Sequence, residues 1–272
     1  MHRREELARR ADFALRVTAA AGWPEPNARL LDAFSNTPRA RFLPPGTPLD
    51  LVYADTTVRL GVAGLNNGQP SLHAACLAAL TPRSGETAVH VGAGTGYYTA
   101  ILARLVGPQG RVEAYEIEPS LAALARGNLS DLPQAQVHAS ARGALPPLPA
   151  CDLIYVNCGV TSPDTSWLEA LRPQGRMVFP LTGDDGSGLM LLLRRPESAA
   201  AAWPATVLMG VSFVPCIGLR DHGDAQAITE ALKRGNDHGN AAAVCGYHHG
   251  VPGSPHRVWC AGKNWWLERA LG

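Results

Sequence analysis

No stretch of the chain reaches the roughly 18 apolar residues that a membrane-spanning helix needs. The opening run MHRREELARRADF is charged and lacks the apolar core of a secretory leader. No two cysteines are spaced C-x-x-C: Cys76, Cys151, Cys158, Cys216, Cys245 and Cys260 are scattered singly. That pattern reads as reduced thiols rather than a disulfide framework, so a cytoplasmic protein with no membrane partner is expected. Neither sign of charge prevails, since 24 Lys+Arg against 23 Asp+Glu leave a net charge of +1. The balance points to neither a nucleic-acid surface nor an acidic disordered tail. With no Asn-Pro-Pro-Tyr run and no basic stripe, no nucleic-acid partner is expected. No internal repeat is visible.

What is present begins with an apolar fraction of 46% in 272 residues, enough for one large domain or a domain with an added lobe. The chain is organised around residues 88–116, AVHVGAGTGYYTAILARLVGPQGRVEAYE. Its first four residues are a mostly apolar run bounded by glycine, read as a buried parallel strand. Gly92, Gly94 and Gly96 then turn the chain, and Tyr97, Ile101, Leu102 and Leu105 follow at helical period. A second strand over residues 111–115 ends in Glu116. Glycines let a ligand lie against bare backbone, and the first N–H groups of a helix point at whatever occupies the turn before it. A carboxylate at the end of the next strand can accept both hydroxyls of a ribose. The unit therefore reads as a site for a nucleoside with a polar tail.

Around this unit, residues 3–20 and 28–35 read as helices. Residues 37–50, with four prolines, read as an irregular loop packed down by Phe42, Leu43, Leu49 and Leu51. A strand-like piece at 57–60 precedes a helix from Ser71 to about Leu80, with Pro70 at its start. Further strands are expected at 135–139, 152–156 and 175–180, a short helix at 167–171, and a later antiparallel pair at 188–193 and 207–214. The alternation predicts an α/β fold with a doubly wound, mostly parallel sheet.

A G-x-G-x-G turn, rather than the G-x-G-x-x-G of dinucleotide sites, resembles that of S-adenosylmethionine (SAM) methyltransferases of class I, the Rossmann-like kind. From Pro38 to Phe213 the order of features resembles the protein-L-isoaspartate O-methyltransferase family. The pieces are Pro38-Arg39-x-x-Phe42-Leu43-Pro44, Tyr53-Ala54-Asp55, Gln69-Pro70-x-x-His73-Ala74, residues 91–97, Cys151-Asp152-x-Ile154, and Leu171-x-Pro173-x-Gly175-Arg176-x-Val178-x-Pro180. The resemblance implies a carboxyl O-methyltransferase with SAM as cofactor, acting on an aspartyl or isoaspartyl carboxylate of a peptide or protein. It places the cofactor on Gly92, Ala93, Gly94, Thr95, Gly96, Tyr97, Glu116, Ile117, Ser140 and Asn157. The acceptor falls on the loop bearing Asn66, Asn67, Gly68, Ser71 and His73. No metal is implied, and a monomer is expected.

Two departures stand out. The family's loop carries a serine before x-Pro whose hydroxyl contacts the target carboxylate, and Gly68 occupies that place here. Asn66, Asn67 and Ser71 are the alternative donors, and spacing does not choose among them. Restoring the hydroxyl by Gly68→Ser is expected to raise activity on generic isoaspartyl peptides if the loop keeps its path. The family's Gly-Asp-Gly after the third strand, whose Asp approaches the adenine, is replaced by Ala139-Ser140-Ala141.

Three parts are expected: N-terminal helices and substrate loop (1–80), the SAM-binding core (81–214), and an α+β extension (215–272). The extension is rich in His and Trp, and three readings of it stand: zinc held among Cys245, His248, His249, His256 and Cys260, a packed lobe with Trp259 and Trp265 as core, and a substrate-recognition lobe. His73 either faces the transfer site or packs, and His90 reads as a core residue. The loss of the loop serine and the added lobe favour one dedicated peptide substrate. General isoaspartyl repair and a non-catalytic SAM-binding partner protein are the alternatives.

Overall fold

The glycine-bounded run of the organising stretch forms β1 (Thr87–Val91), and the helical period after the glycines forms α5 (Tyr97–Val106). The computed structural model describes residues 2–21, 27–62, 64–140, 147–198, 202–234, 241–253 and 255–270. It divides into two compact units, residues 1–140 and 141–272, with the boundary inside the stretch 81–214.

In the first unit β1 pairs in parallel with β2 (Arg111–Glu116), and β2 with β3 (Ala135–Ala139), in the order β3-β2-β1. The connecting helices are α5 and α6 (Pro119–Asn128). The latter starts at a proline whose missing N–H is no loss there, after Glu118 has capped Ser120 N. Upstream lie α1 (His2–Ala20), α2 (Ala28–Ser35), α3 (Leu49–Val52) and α4 (Pro70–Leu80). Asn27 caps α2 through its side-chain oxygen. Phe13, Val17, Leu30, Phe34 and Leu77 are buried where these helices pack. Each buried side chain of this size contributes about 1.5–3 kcal/mol relative to exposure.

Residues 37–50 are more ordered than their prolines imply. A 3-10 turn covers Arg39–Phe42 and α3 follows it. Phe42 and Leu43 are buried as expected, but Leu49 and Leu51 are 45% and 46% exposed. The anchor of this segment is Arg39, whose guanidinium reaches carbonyls further along the chain. The piece at 57–60 is no strand but one antiparallel bridge, Arg59 with Asn66.

The second unit holds β4 (Cys151–Val156), α7 (Thr165–Ala170), β5 (Leu171–Thr182), β6 (Ser187–Arg194), β7 (Ala202–Ser212), α8 (His222–Arg234), β8 (Val244–His249), β9 (Val258–Ala261) and β10 (Trp265–Arg269). The pair β4–β5 is parallel, and β5-β6-β7-β8-β10-β9 continue antiparallel. Trp259 and Trp265 are buried, as the packed-lobe reading expects. Buried Asp224, in the first turn of α8, accepts from Trp265 Nε1 at 2.7 Å and Lys263 N at 2.7 Å. These bonds tie the helix to the β9–β10 turn. His248 stacks on Trp266 with ring centroids 3.7 Å apart and meets Glu268 at 2.7 Å. No group of three or more His, Cys, Asp or Glu gathers as a metal site among the described residues.

Candidate active site

The three glycines of the turn all have positive φ, +79° at Gly92, +57° at Gly94 and +91° at Gly96, but two of them are needed for different reasons. A Cβ on Gly96 would lie 3.1 Å from Leu129 Cδ1 and 3.4 Å from Ala125 Cβ, so this glycine lets α5 and α6 pack closely. A Cβ on Gly94 would meet only Leu60 Cδ1, at 3.7 Å. Its bare backbone therefore borders open space, the feature a bound nucleoside requires.

The turn is held from four sides. Gly92 N and Ala93 N donate to Tyr115 O at 2.9 and 3.1 Å. Thr95 Oγ1 donates to Phe42 O at 2.7 Å, and Asn128 Nδ2 to Thr95 O at 2.9 Å. Gly94 N donates to Glu116 Oε2 at 2.6 Å, and Glu118 N to Glu116 Oε1 at 2.9 Å. Both Glu116 oxygens thus accept from the backbone and keep lone-pair capacity to spare. Glu116 is 5% exposed. Burial raises its carboxyl above the ordinary glutamate value, outweighing the backbone N–H groups of Glu118, Gly94 and Ile117 that favour the anion. A ligand that donates hydroxyls to it would offset that desolvation.

The other expected cofactor residues distribute unevenly. Ala93 is buried and Ile117 is half-buried beside Glu116. Ser140 N donates to Glu116 O at 2.9 Å at the end of β3, while Ala141 lies outside the described residues. Tyr97 has its ring against Phe42 and Phe34, at centroid distances of 5.4 and 6.2 Å, and belongs to the core. What it offers a ligand is the backbone at the start of α5. Asn157 is half-buried in the second unit, directly after β4.

The loop before α4 is built on two long-range anchors. Asp55 accepts Ser71 N at 2.8 Å and Gln69 Nε2 at 3.2 Å, so it caps α4 from fifteen or so residues away. Burial pushes the Asp55 carboxyl up, but hydrogen bonds from Ser71 and Gln69 and the charge of Arg39 prevail, and its pKa lies below the ordinary value. The guanidinium of Arg39, fully buried, donates to Val52 O at 3.0 Å, Ala54 O at 2.7 Å, Thr56 O at 2.9 Å and Asn67 Oδ1 at 3.0 Å. It also lies 5.5 Å from the centroid of the Phe13 ring. The sequence pattern shows Arg39 only as a motif letter, because its partners lie far along the chain; Asp55, which reads either as structural or as shaping the acceptor pocket, caps α4.

His73 does pack. Its ring stacks on Tyr98 at 3.7 Å and 10°, and burial, then His90 and Arg39, hold its pKa well below the ordinary value. His90 is a core residue, its Nδ1 2.8 Å from Thr99 Oγ1. Gly68 stands at φ +70°, and a Cβ there would lie 1.9 Å from His73 Nε2. The expectation that Gly68→Ser raises activity is corrected by this contact, because serine meets both left-handed strain and a buried, stacked ring.

The family described as Protein-L-isoaspartate(D-aspartate) O-methyltransferase (PCMT) matches residues 25–221. A protein-L-isoaspartate O-methyltransferase of Methanopyrus kandleri is 34% identical over 195 residues, 70% of this chain and 84% of that protein. Another, from Anaeromyxobacter dehalogenans, is 37% identical over 191 residues, 69% of this chain and 88% of the relative. Among solved structures, a protein-L-isoaspartate O-methyltransferase superposes with TM-score 0.67 at 21% identity, over 84% of this chain and 69% of the other. A Plasmodium falciparum structure, titled a putative protein-L-isoaspartate O-methyltransferase in complex with S-adenosyl-L-homocysteine, gives TM-score 0.64 at 16% identity, over 77% and 98%. These superpositions carry the class I methyltransferase fold. The Gly94–Glu116 cradle, the parallel strands that hold it and the family match over most of the chain agree: the chain belongs to the protein-L-isoaspartate O-methyltransferase family.

Proposed function

We propose that the acceptor of this SAM-dependent carboxyl O-methyltransferase is the free carboxylate of isoaspartyl residues in peptides and proteins generally. The observation that carries the cofactor assignment is Glu116, buried, tied to the bare backbone of Gly94 and retaining acceptor capacity toward a ribose. When bound, SAM supplies an electrophilic methyl group on a sulfonium; the acceptor oxygen forms the new C–O bond, the C–S bond breaks, and S-adenosylhomocysteine leaves.

The carboxylate is already a nucleophile, so the chain's residues need no strong general base. Their work is alignment and exclusion of water. Gly92 to Gly96 present backbone to the cofactor, Glu116 orients its ribose, and Ile117 and Ser140 border the nucleoside. Asn66, Asn67, Gly68, Ser71 and His73 form the acceptor side, held by Arg39 and Asp55.

A second reading, one dedicated peptide, is favoured by a single observation. Residues 222–272 lie past the family match, and the described ones among them form α8 and β8 to β10, an extra surface for substrate recognition. Balanced charge favours no nucleic-acid partner, and no helix among the described residues is long and apolar enough to cross a membrane. We propose a monomer acting in the cytoplasm.

The test is methyl transfer from labelled SAM to several unrelated isoaspartyl peptides, with the same sequences containing ordinary aspartate as controls. General activity predicts kcat/KM values within about tenfold of each other on isoaspartyl peptides and none on the controls. A single peptide favoured by more than about a hundredfold supports the dedicated reading. Tight S-adenosylhomocysteine binding with no transfer to any carboxylate rejects the proposal.

A further inference from the structure

We infer that Asn67 supplies the hydrogen-bond donor that receives the acceptor carboxylate, in place of a side chain on residue 68, and that Arg39 positions it. The inference rests on the function proposed above and names the contact residue of that same site.

Residues 66–73 carry five polar side chains, Asn66, Asn67, Gln69, Ser71 and His73, and Gln69 Nε2 is spent on Asp55 Oδ2 at 3.2 Å. Asn66 is exposed, and its Oδ1 accepts Gly68 N at 2.8 Å, an Asx turn that shapes the loop. Ser71 bonds Asp55 and also lies 3.3 Å from Gln69 Nε2, at the start of α4. His73 is stacked on Tyr98 and fills the volume beside Gly68.

Asn67 differs. It is 8% exposed, and its Nδ2 has no hydrogen-bond partner among the described residues. Its orientation is chemically decided. Guanidinium has only donors, so the atom 3.0 Å from Arg39 must be the amide oxygen, and the NH2 group is turned the other way. An unpaired buried donor is destabilising, and a structure retains such a group where something else satisfies it. Two N–H donors beside a fixed positive charge suit an oxyanion.

Location supports the role. Residues 58–60 and 65–67 pair as a hairpin, Leu60 N donating to Leu65 O at 3.1 Å and Asn67 N to Val58 O at 3.0 Å. Leu60, on this hairpin, is the nearest contact to the Gly94 cradle. Tyr98, against which His73 stacks, lies in the first turn of α5, two residues after Gly96.

The decisive variant is Asn67→Asp. It keeps an oxygen on Arg39, and strengthens that contact, but replaces the NH2 donor by a second oxygen that repels a carboxylate. The expected result is a KM for an isoaspartyl peptide raised tenfold or more, with the S-adenosylhomocysteine dissociation constant and melting temperature at wild-type values or better. Asn67→Ser, which retains a donor, should recover part of the loss in KM. An unchanged KM in Asn67→Asp overturns the inference. So does a variant that fails to fold or to bind S-adenosylhomocysteine, since the Arg39 contact would then not orient the amide as described. Wild-type protein that binds S-adenosylhomocysteine but methylates no isoaspartyl peptide overturns the functional reading beneath it.

Discussion

Replacing Glu116 by glutamine separates cofactor binding from the integrity of the turn. The carboxylate accepts Gly94 N at 2.6 Å and Glu118 N at 2.9 Å. Glutamine keeps one acceptor oxygen and sets an NH2 group against the other backbone N–H, losing one charge-assisted bond of about 1.5–3 kcal/mol. An opposing effect comes from burial. The folded pKa of Glu116 is raised, so its contribution to stability is present at low pH and is lost as pH rises through the folded value. At neutral pH the buried anion is therefore a cost, which the neutral amide removes. The two effects have opposite signs, so the melting temperature without ligand is expected to move by only a few degrees. Affinity for S-adenosylhomocysteine has no such compensation. On the proposed role of Glu116, the variant would lose one ribose hydroxyl bond to an anion, again about 1.5–3 kcal/mol, which is roughly tenfold to a hundredfold in dissociation constant. Calorimetric titration measures the affinity, and melts with and without ligand check it, because stabilisation follows RT ln(1 + [L]/Kd). Wild-type affinity in Glu116→Gln would remove Glu116 from the cofactor site. A collapse of the ligand-free melting temperature would show that its role is to hold the turn.

Three further outcomes follow from the geometry. Gly94→Val should abolish S-adenosylhomocysteine binding in calorimetry through bulk in the cradle, whereas Gly96→Ala should act on stability, lowering the denaturant midpoint by an amount equivalent to about 1–3 kcal/mol through strain at φ +91° and the 3.1 Å approach to Leu129. Stability should fall in acid: burial holds His90 down to about 3 and His73 well below its ordinary value. Below about pH 6.5 the unfolded chain takes up protons that the folded chain refuses, costing about 1.4 kcal/mol per pH unit for each histidine. Urea midpoints between pH 7 and 5 check this, and His90→Gln should reduce the slope by about half. Gly68→Ser should lower methyl transfer to isoaspartyl peptides, and Gly68→Ser combined with His73→Ala should recover more activity than Gly68→Ser alone retains, because removing the ring clears the contact at 1.9 Å. Steady-state kcat/KM measures both.

The strand, glycine turn, helix, strand and acid of residues 87–116 were legible from sequence because each depends on neighbours a few residues away: alternation, helical period, and glycine where φ must be positive. The loop before α4 was legible as a place, from Gln69-Pro70 and the helix that follows, but its hydrogen bonding was not. Arg39 is buried because four acceptors, on residues 52, 54, 56 and 67, converge on it. Asp55 caps a helix that begins at Pro70. Such contacts leave no periodic trace, since they join segments that meet only after the chain has folded. Likewise the letters Asn66, Asn67 and Ser71 read as equivalent donors. Folding alone distinguishes them, by turning one amide's oxygen onto a buried guanidinium and leaving its NH2 unpaired. Sequence determined where backbone is bare and where the acid stands; tertiary structure decided which side chains are spent on holding the loop and which amide keeps its NH2 unpaired.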